Sequence, residues 1–269
     1  MSHRARTVPP FRTLVVAALL PAAGVALAAD PAAFLAGTTR TCIECDLSGR
    51  DLAERGLERA KLDRANLAGA NLAGASLFRA TLPRANLKGA KLAAANLNLI
   101  DAKGADLTGA DMSKGLLFEA DLAGANLAGA NLSGARLGRA RLNQANLAGA
   151  DLTGADLREA RLAGAKLVGA IMRGVTLDGQ NLLDMDLHGI DFTYSDMVEA
   201  NLTGVDLHGA TLAGVNLFSA NLHGADLRGA NFEGANLENA ILSDALTEGA
   251  KFDAAIMPDG HRAPDGPQP

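Results

Sequence analysis

A large apolar residue recurs at every fifth position from Leu47 to Met257, with Ala102 and Thr247 as the two exceptions. Of these 43 positions, 34 carry leucine. The residue two before the position is alanine in 31 of the 43 cases. On an α-helix a step of five residues turns about 500°, so the leucines would be scattered around the helix and would not share one buried face. The period therefore excludes an amphipathic helix and a coiled coil.

A five-residue step repeats its geometry when a short extended piece is followed by a tight turn, with the central leucine and the residue two before it pointing inward. Such units stack into a solenoid. The slot two after the leucine is glycine at every twentieth residue from Gly49 to Gly249, which predicts four pentapeptides per coil. Glycine suits the third position of a type II turn, where φ is positive. Along another side the same slot holds residues such as Arg59, Arg79 and Leu99, for which the sequence favours a type I turn.

The repeat A(N/D)LxG, as in Ala65-Asn66-Leu67-Ala68-Gly69, resembles the pentapeptide-repeat family over residues 45–257. The resemblance implies an all-β fold, a right-handed quadrilateral parallel β-helix, with no catalytic residues attached to the repeat itself. At four steps per coil the chain forms about eleven coils, and at ~4.8 Å per coil the rod is roughly 50 Å long.

The ends of the chain depart from the repeat. Three arginines precede an apolar stretch from Leu14 to Ala28 that ends in a small-x-small cleavage site, which predicts a signal peptide over residues 1–28 and a mature chain in the periplasm or outside the cell. Residues 29–44 are predicted to cap the first coil. Residues 258–269 are rich in proline and are predicted to form a disordered tail.

The only two cysteines are Cys42 and Cys45. In an oxidising compartment a small disulfide loop that staples the first coil is the favoured interpretation, and a buried dithiol is the alternative. A thioredoxin-like redox pair needs a βαβ context, and a zinc site needs two more ligands at suitable spacing.

Formal charge is distributed unevenly along the chain. Residues 30–144 contain 15 basic and 12 acidic residues, a balance of +3, whereas residues 145–269 contain 7 and 18, a balance of −11. The acidic half is able to attract a basic partner or cations, although exposed charges are screened over roughly 10 Å at ordinary salt. Solubility of a rod rich in alanine and leucine is an equally good explanation.

Outward-pointing apolar residues are the main candidates for a binding surface. Aromatic residues are rare in this chain, yet several occupy the outward slot after the central leucine on one side, and apolar patches of this kind often mark interfaces. The candidate interaction face comprises Phe78, Leu99, Leu116, Phe118 and Phe218, with Asn98 and Gly138 interrupting the column.

Two histidines, His188 and His208, lie twenty residues apart and are expected to stack on adjacent coils beside Asp186 and Asp206. Imidazole and carboxylate groups are suitable ligands for a divalent metal. Because these side chains point outward with no pocket around them, we interpret them as solvated surface and expect no metal site.

The stretch from Ile171 to Ser195 places larger residues, among them Gln180 and Met185, in the inward slot normally held by alanine. These residues are expected to widen the coil locally, and Gln180 needs a hydrogen-bond partner inside it.

The sequence thus favours a non-enzymatic, exported scaffold that binds a protein partner, with weak self-association as a further expectation. We expect no cofactor, no nucleic-acid partner and no membrane span after signal cleavage. The alternative comes from the resemblance, since some pentapeptide-repeat proteins are DNA mimics that inhibit or protect topoisomerases. The acidic C-terminal half suits that alternative, whereas the signal peptide argues against it.

Overall fold

The structure is a computed structural model that describes residues 31–183 and 185–264. In this part of the chain one helix, α1 (Pro31–Leu35), is followed by a stack of coils joined by parallel β-bridges. Each bridge pairs a residue with the one twenty positions further on, from Thr41 with Lys61 to Asn236 with Ile256. Each strand is a single bridging residue, and four bridges form per coil. We name the four faces after their first central residues, the Leu47, Leu52, Leu57 and Leu62 faces.

The core is a column of central leucines and inward alanines, as the period predicts. Leu127, for example, is 0% exposed and Ala125 is 1% exposed. The backbone supports this column from coil to coil: Leu127 N–H donates to the carbonyl of Asn146 at 2.7 Å, and Asn146 N–H donates to the carbonyl of Ala125 at 2.9 Å. The stack therefore combines apolar burial with a continuous hydrogen-bond ladder.

The Asn or Asp that precedes many of the central leucines stabilises both the turn and the stack. The Oδ1 atom of Asn126 accepts the backbone N–H of Ala128 at 3.3 Å and the Nδ2 group of Asn146 at 2.9 Å. The first bond closes an Asx turn and the second links adjacent coils. This double role explains why an amide or carboxylate recurs at an outward position.

The predicted division into two turn types is wrong. The third turn residue has positive φ on every face, at Gly129 (64°) as well as at Arg139 (57°), Leu99 (58°) and Glu119 (54°). A type I turn has negative φ at this position, so the Leu57 face does not use it. Because Arg139, Leu99 and Glu119 donate the same inter-coil backbone bond as Gly129, the ladder imposes left-handed backbone on them, although this conformation is unfavourable for these residue types.

The N-terminal end of the rod is covered by α1. Phe34, a residue of this helix, is 3% exposed. Arg55 replaces alanine in an inward slot and donates from Nη2 to the carbonyl of Leu35 at 2.6 Å. A disulfide joins Cys42 and Cys45, whose Cα atoms are 5.4 Å apart in the first coil. The ladder begins at Thr41, before the repeat boundary predicted at residue 45. The predicted signal peptide, residues 1–28, lies outside the described residues.

At the other end, the prediction of a disordered tail over residues 258–269 is wrong for residues 258–264. Met257 N–H donates to the carbonyl of His261 at 2.8 Å, and Ile256 forms an antiparallel bridge with Arg262. The chain reverses at Gly260, which has φ of 81°, and covers part of the last coil on the Leu57 face. Pairing with an otherwise open strand edge is the physical reason for this order.

No helix among the described residues has the length and apolar character needed to cross a membrane.

Gln180 is 5% exposed, and its Nε2 group donates to the carbonyl of Leu157 at 2.5 Å. The inward slot that the sequence marks as polar therefore has its hydrogen-bond partner in the backbone of the preceding coil.

Candidate functional site

Four of the five predicted interface residues lie together on the Leu57 face. Phe78, Leu99 and the pair Leu116 and Phe118 occupy three successive coils. Phe118 is 44% exposed, and the other three are half-buried. We call these four residues the Phe118 surface.

The two residues that interrupt the aromatic column support Phe118. Asn98 accepts the backbone N–H of Phe118 on its Oδ1 atom at 2.8 Å, so it fixes the turn that carries the ring. Gly138, one coil further on, lies against the ring: a Cβ atom placed there would be 3.5 Å from Phe118 Cδ2. The sequence indicates the aromatic residue, but only the structure shows that its neighbours hold and accommodate it.

Arginines cover part of both rings. The guanidinium carbon of Arg79 lies 5.2 Å from the ring centroid of Phe78, and that of Arg139 lies 5.8 Å from the centroid of Phe118. Both distances fall within the range of cation–π attraction. The exposed aromatic edge of Phe118 is thus combined with a positive charge.

A network of charged residues borders Phe118. Arg139 lies between two glutamates, 3.8 Å from Glu119 and 2.9 Å from Glu159, and hydrogen bonding to Glu159 raises the pKa of the arginine. Asp121 is close to two cations, with Lys103 at 2.9 Å and Arg141 at 3.4 Å. Because these side chains repeat at twenty-residue intervals, they form ordered rows along the rod rather than isolated pairs. An apolar centre with a charged rim is the usual composition of a protein interface.

Phe218 does not belong to this surface. It occupies the same slot on the same face, but five coils beyond Phe118, which corresponds to about 24 Å along the rod. It is half-buried, and the column between the two aromatics contains Arg158, Asp178 and Val198. The predicted face is therefore divided into the Phe118 surface and a separate Phe218.

Asp178, between the two aromatics, has unusual electrostatics. Burial raises its pKa, and the neighbouring carboxylate of Asp196 raises it further, against the opposing charge of Arg158. Its Oδ1 atom is buried without a hydrogen-bond partner. The sequence contains no signal for this, because Asp178 and Asp196 become neighbours only when successive coils stack.

The predicted histidine cluster is formed only in part, by His188 with Asp186 and Asp206 and without His208. Asp186, His188 and Asp206 offer ligand atoms that lie within 4.8 Å of one another. His188 Nδ1 is 2.5 Å from Asp186 Oδ1, and that hydrogen bond raises the pKa of the histidine. The side chains of Asp186 and His188 are more than half exposed, at 62% and 52%. They form an open surface group, and His208 is not a member of it.

The sequence interpretation missed other exposed apolar residues. Val168 is 56% exposed, Leu183 is 46% exposed and Tyr194 is 78% exposed. The signal was available, because each stands in an outward slot that usually carries a small or polar residue. The Tyr194 ring lies over Gly214, where an added Cβ would be 2.6 Å from ring atoms.

This geometry defines a class of protein, a four-sided parallel β-solenoid with a leucine and alanine core and chemically distinct faces. The model of the family described as pentapeptide repeats matches the chain in overlapping segments from residue 42 to residue 258, and the chain belongs to that family. Proteins of this family fold as right-handed quadrilateral β-helices, which confirms the predicted fold class. They are generally non-enzymatic structural or binding proteins.

Three solved structures of pentapeptide-repeat and related proteins are similar to this chain. HetL, a protein involved in heterocyst differentiation regulation from the cyanobacterium Nostoc sp. strain PCC 7120, is 29% identical over 87% of this chain and 97% of its own, with a TM-score of 0.38. A pentapeptide repeat protein from the Arabidopsis thaliana thylakoid lumen is 31% identical over 37% of this chain and 66% of its own, with a TM-score of 0.24. QnrB1, a plasmid-mediated fluoroquinolone resistance protein, is 20% identical over 78% of this chain and 92% of its own, with a TM-score of 0.36. No curated protein matches the chain significantly.

Proposed function

We propose that this chain is an exported, non-enzymatic scaffold that binds a protein partner through the Phe118 surface. The observation that carries the proposal is Phe118 itself, 44% exposed in an outward slot and held by Asn98, Gly138 and Arg139. Aromatic residues and arginine are the residue types that contribute most to binding at protein interfaces. The rigid ladder presents them with little conformational entropy left to lose on binding.

The charged rows beside Phe118 supply the specificity of the proposed interface. Glu119, Arg139 and Glu159 alternate in sign along the rod, and a partner must match that alternation to approach the aromatic centre. Juxtaposed like charges discriminate against surfaces that do not match. The proposed partner therefore has an apolar pocket for the phenylalanine edge and charges complementary to these rows.

The test is affinity capture from periplasmic extract with three rods: the unchanged protein, Phe118→Ser and Phe218→Ser. The two phenylalanines occupy equivalent slots on one face, so Phe218→Ser is the matched control. We expect a partner that is retained by the unchanged rod and by Phe218→Ser but lost with Phe118→Ser. Capture of the same proteins by all three rods would refute the Phe118 surface as the binding site.

Both variants need an intact fold for this comparison. Circular dichroism and thermal melting check that requirement, and sedimentation detects self-association that depends on the same face. Because Phe118 is largely outside the core, we expect its replacement to change the melting temperature by only a few degrees.

A second candidate function, modulation of a topoisomerase by DNA mimicry, is favoured by the charge of the C-terminal part. Residues 177–264 contain 3 basic and 14 acidic residues, a balance of −11. Binding driven by this charge would weaken steeply as salt is added. Salt-sensitive capture of a topoisomerase from whole-cell lysate, unaffected by Phe118→Ser, would favour this candidate over the scaffold.

The proposed export depends on the predicted signal peptide. Subcellular fractionation with N-terminal sequencing of the mature protein tests it. We expect a periplasmic or extracellular chain that begins at Ala29. A cytoplasmic chain that retains residues 1–28 would contradict export and would make a topoisomerase accessible as a target.

A further inference from the structure

The hydrogen-bond ladder between coils is interrupted on two adjacent faces. Bridges continue from coil to coil down to Arg161 and Lys166, but among the described residues no bridge joins Arg161 to Asn181 or Lys166 to Asp186. These two absent bridges are the ones expected on the Leu62 and Leu47 faces, between residues 159–170 of one coil and residues 179–190 of the next. We call this interval the junction.

The junction leaves successive backbone donors without inter-coil acceptors. Eight described backbone N–H groups form no inter-coil bond here, although the equivalent group one coil earlier forms one: those of Glu159, Leu162, Gly164, Leu167, Gly169, Asn181, Asp186 and Asp191. Glu159 and Asp191 belong to the Leu57 and Leu52 faces and mark the margins of the interruption. One coil earlier, Leu142 N–H donates to the carbonyl of Arg161 and Leu147 N–H donates to that of Lys166, both at 2.8 Å. The loss is therefore local and continuous.

The side chains inside the junction explain the interruption. Ala160, Ala165 and Ala170 above it face Gln180, Met185 and Ile190 below it in the inward slot. Alanine stacks at the normal coil spacing, whereas the larger side chains need more room in a close-packed interior. Ala165 and Met185 are only partly buried, unlike most residues in this slot. The bridges lost on two faces thus fall in the stretch where the sequence predicts a wider coil.

The other two faces remain joined and carry additional contacts. Bridges connect Ile171 with Asp191 and Thr176 with Asp196. The hydroxyl of Ser195 donates to the carbonyl of Met172 at 2.8 Å, and Arg173 Nε donates to Asp191 Oδ2 at 2.5 Å.

On the open side the described residues show no ion pair between Lys166 and Asp186, although their opposite charges occupy the same slot in adjacent coils. The side chains of Val168 and Leu183 are exposed beside the opening. At the level of the junction, the Leu52 and Leu57 faces are therefore bonded from coil to coil, whereas the Leu62 and Leu47 faces are open.

The charge of the chain changes sign at the same place. Residues 31–176 contain 19 basic and 14 acidic residues, a balance of +5, whereas residues 177–264 have the balance of −11 given above. The junction thus separates a basic segment from an acidic one.

We propose that the junction is a flexible joint, about which the acidic segment tilts relative to the basic segment by opening on the Leu62 and Leu47 faces. The Leu52 and Leu57 faces act as the hinge, since the bridges Ile171–Asp191 and Thr176–Asp196 and the side-chain bonds of Ser195 and Arg173 still join the two coils there. The inward Met185 keeps the open side from closing. A rod with such a joint can present its two oppositely charged segments to a partner at more than one angle.

Amide hydrogen exchange tests whether the open side is less protected. We expect the amides of Leu162 and Leu167 to exchange at least about tenfold faster than those of Leu142 and Leu147, which occupy the same slots one coil earlier. Equal protection of the two pairs would overturn the joint.

Spin-label distances test the tilt itself. Labels at Asn126→Cys and Asp206→Cys span the junction, whereas labels at Asn66→Cys and Asn146→Cys span the same number of coils on the same face, about 19 Å in each case. We expect the distance distribution of the pair across the junction to be clearly broader than that of the control pair. Equal widths would overturn the proposal.

Returning alanine to the inward slot at residue 185 tests whether Met185 holds the junction open. Met185→Ala is expected to raise amide protection at Leu167 toward that of Leu147 and to narrow the spin-label distribution. Val205→Ala, in the same inward slot one coil further on, is the matched control and should change neither. If Met185→Ala also changes neither, with its folding confirmed by circular dichroism, Met185 is not what holds the joint open.

Discussion

At the scale of single residues, the repeat tolerates unfavourable backbone conformations because the inter-coil hydrogen bonds hold the backbone in place. Leu99 and Arg139 adopt left-handed backbone on one face while the glycine column does so on another. The sequence predicts the glycines correctly, since their conformational freedom is a local property. It does not predict the same φ at arginine or leucine, because the cause is non-local: the hydrogen bonds to the neighbouring coils outweigh a local cost of about 1–2 kcal/mol.

The turn at Gly129 allows this cost to be measured. No atom lies within 4 Å of a Cβ added at Gly129, so a substitution there changes backbone strain without a clash. We expect Gly129→Val to lower the stability by at least about 1–2 kcal/mol, and Gly129→Asn to lower it less because asparagine tolerates left-handed backbone. Urea unfolding of both variants is the measurement. Equal losses for valine and asparagine would contradict this account of the turn.

Asp178 is a residue whose charge opposes folding. Its pKa is raised in the folded chain, so the protonated form is favoured, and the associated stability is lost as pH rises through the folded pKa. We therefore expect Asp178→Asn to raise the melting temperature at pH 7 by about 2–4 °C, the shift that ~1 kcal/mol gives in a chain of this size. The gain should disappear at pH 3, where Asp178 is protonated in both states. A gain of equal size at both pH values would show that charge is not the cause.

At the scale of the coil, each element is held by its neighbours rather than by its own local structure. The period of five predicts which residues are inward, and the burial of Leu127 and Ala125 agrees with it. The sequence also marks the irregular stretch around Gln180 and Met185. It does not indicate which two faces lose their rungs, because that depends on how the larger side chains are accommodated between two coils.

A charge in the core should break a coil. Leu127→Arg loses about 1.5–3 kcal/mol of burial and adds the larger cost of an unpaired charge in the interior. We expect the melting temperature to fall by well over 5 °C. Ala128→Arg, at the next position but outward, is the matched control and should have a small effect. Equal melting temperatures for the two variants would contradict the inward assignment of the leucines.

The first coil has a covalent element of its own. Replacing Cys42 and Cys45 by serine removes a loop closure worth about 2 kcal/mol for so short a loop, so we expect the melting temperature to fall. Adding a reductant to the unchanged protein should produce a similar fall, and adding it to the double variant should have no effect. If the reductant leaves the unchanged protein unaffected, the two cysteines of the purified chain are not joined.

At the scale of the whole molecule, the fold was predictable and the site only in part. A long, strict repeat averages out local ambiguity, so the four-sided coil follows from spacing alone. The Phe118 surface follows from the rarity of outward aromatics, whereas its separation from Phe218 and its support by Asn98 and Gly138 depend on contacts between coils. The order of residues 258–264 likewise arises from pairing with the last coil, which a composition rich in proline does not reveal.

The constant span of the parallel β-bridges, twenty residues in every such pair along the rod, has a consequence for changes in chain length. Inserting or deleting twenty residues alters the number of coils and leaves every later side chain on its original face. A change of five residues rotates everything after it by a quarter of a revolution: deleting residues 127–131 would move Phe218 from the Leu57 face to the Leu52 face. In this chain a change in length that is not a multiple of twenty residues therefore also rotates one part of the rod about its axis. The number of residues between the Phe118 surface and the acidic segment sets their relative orientation.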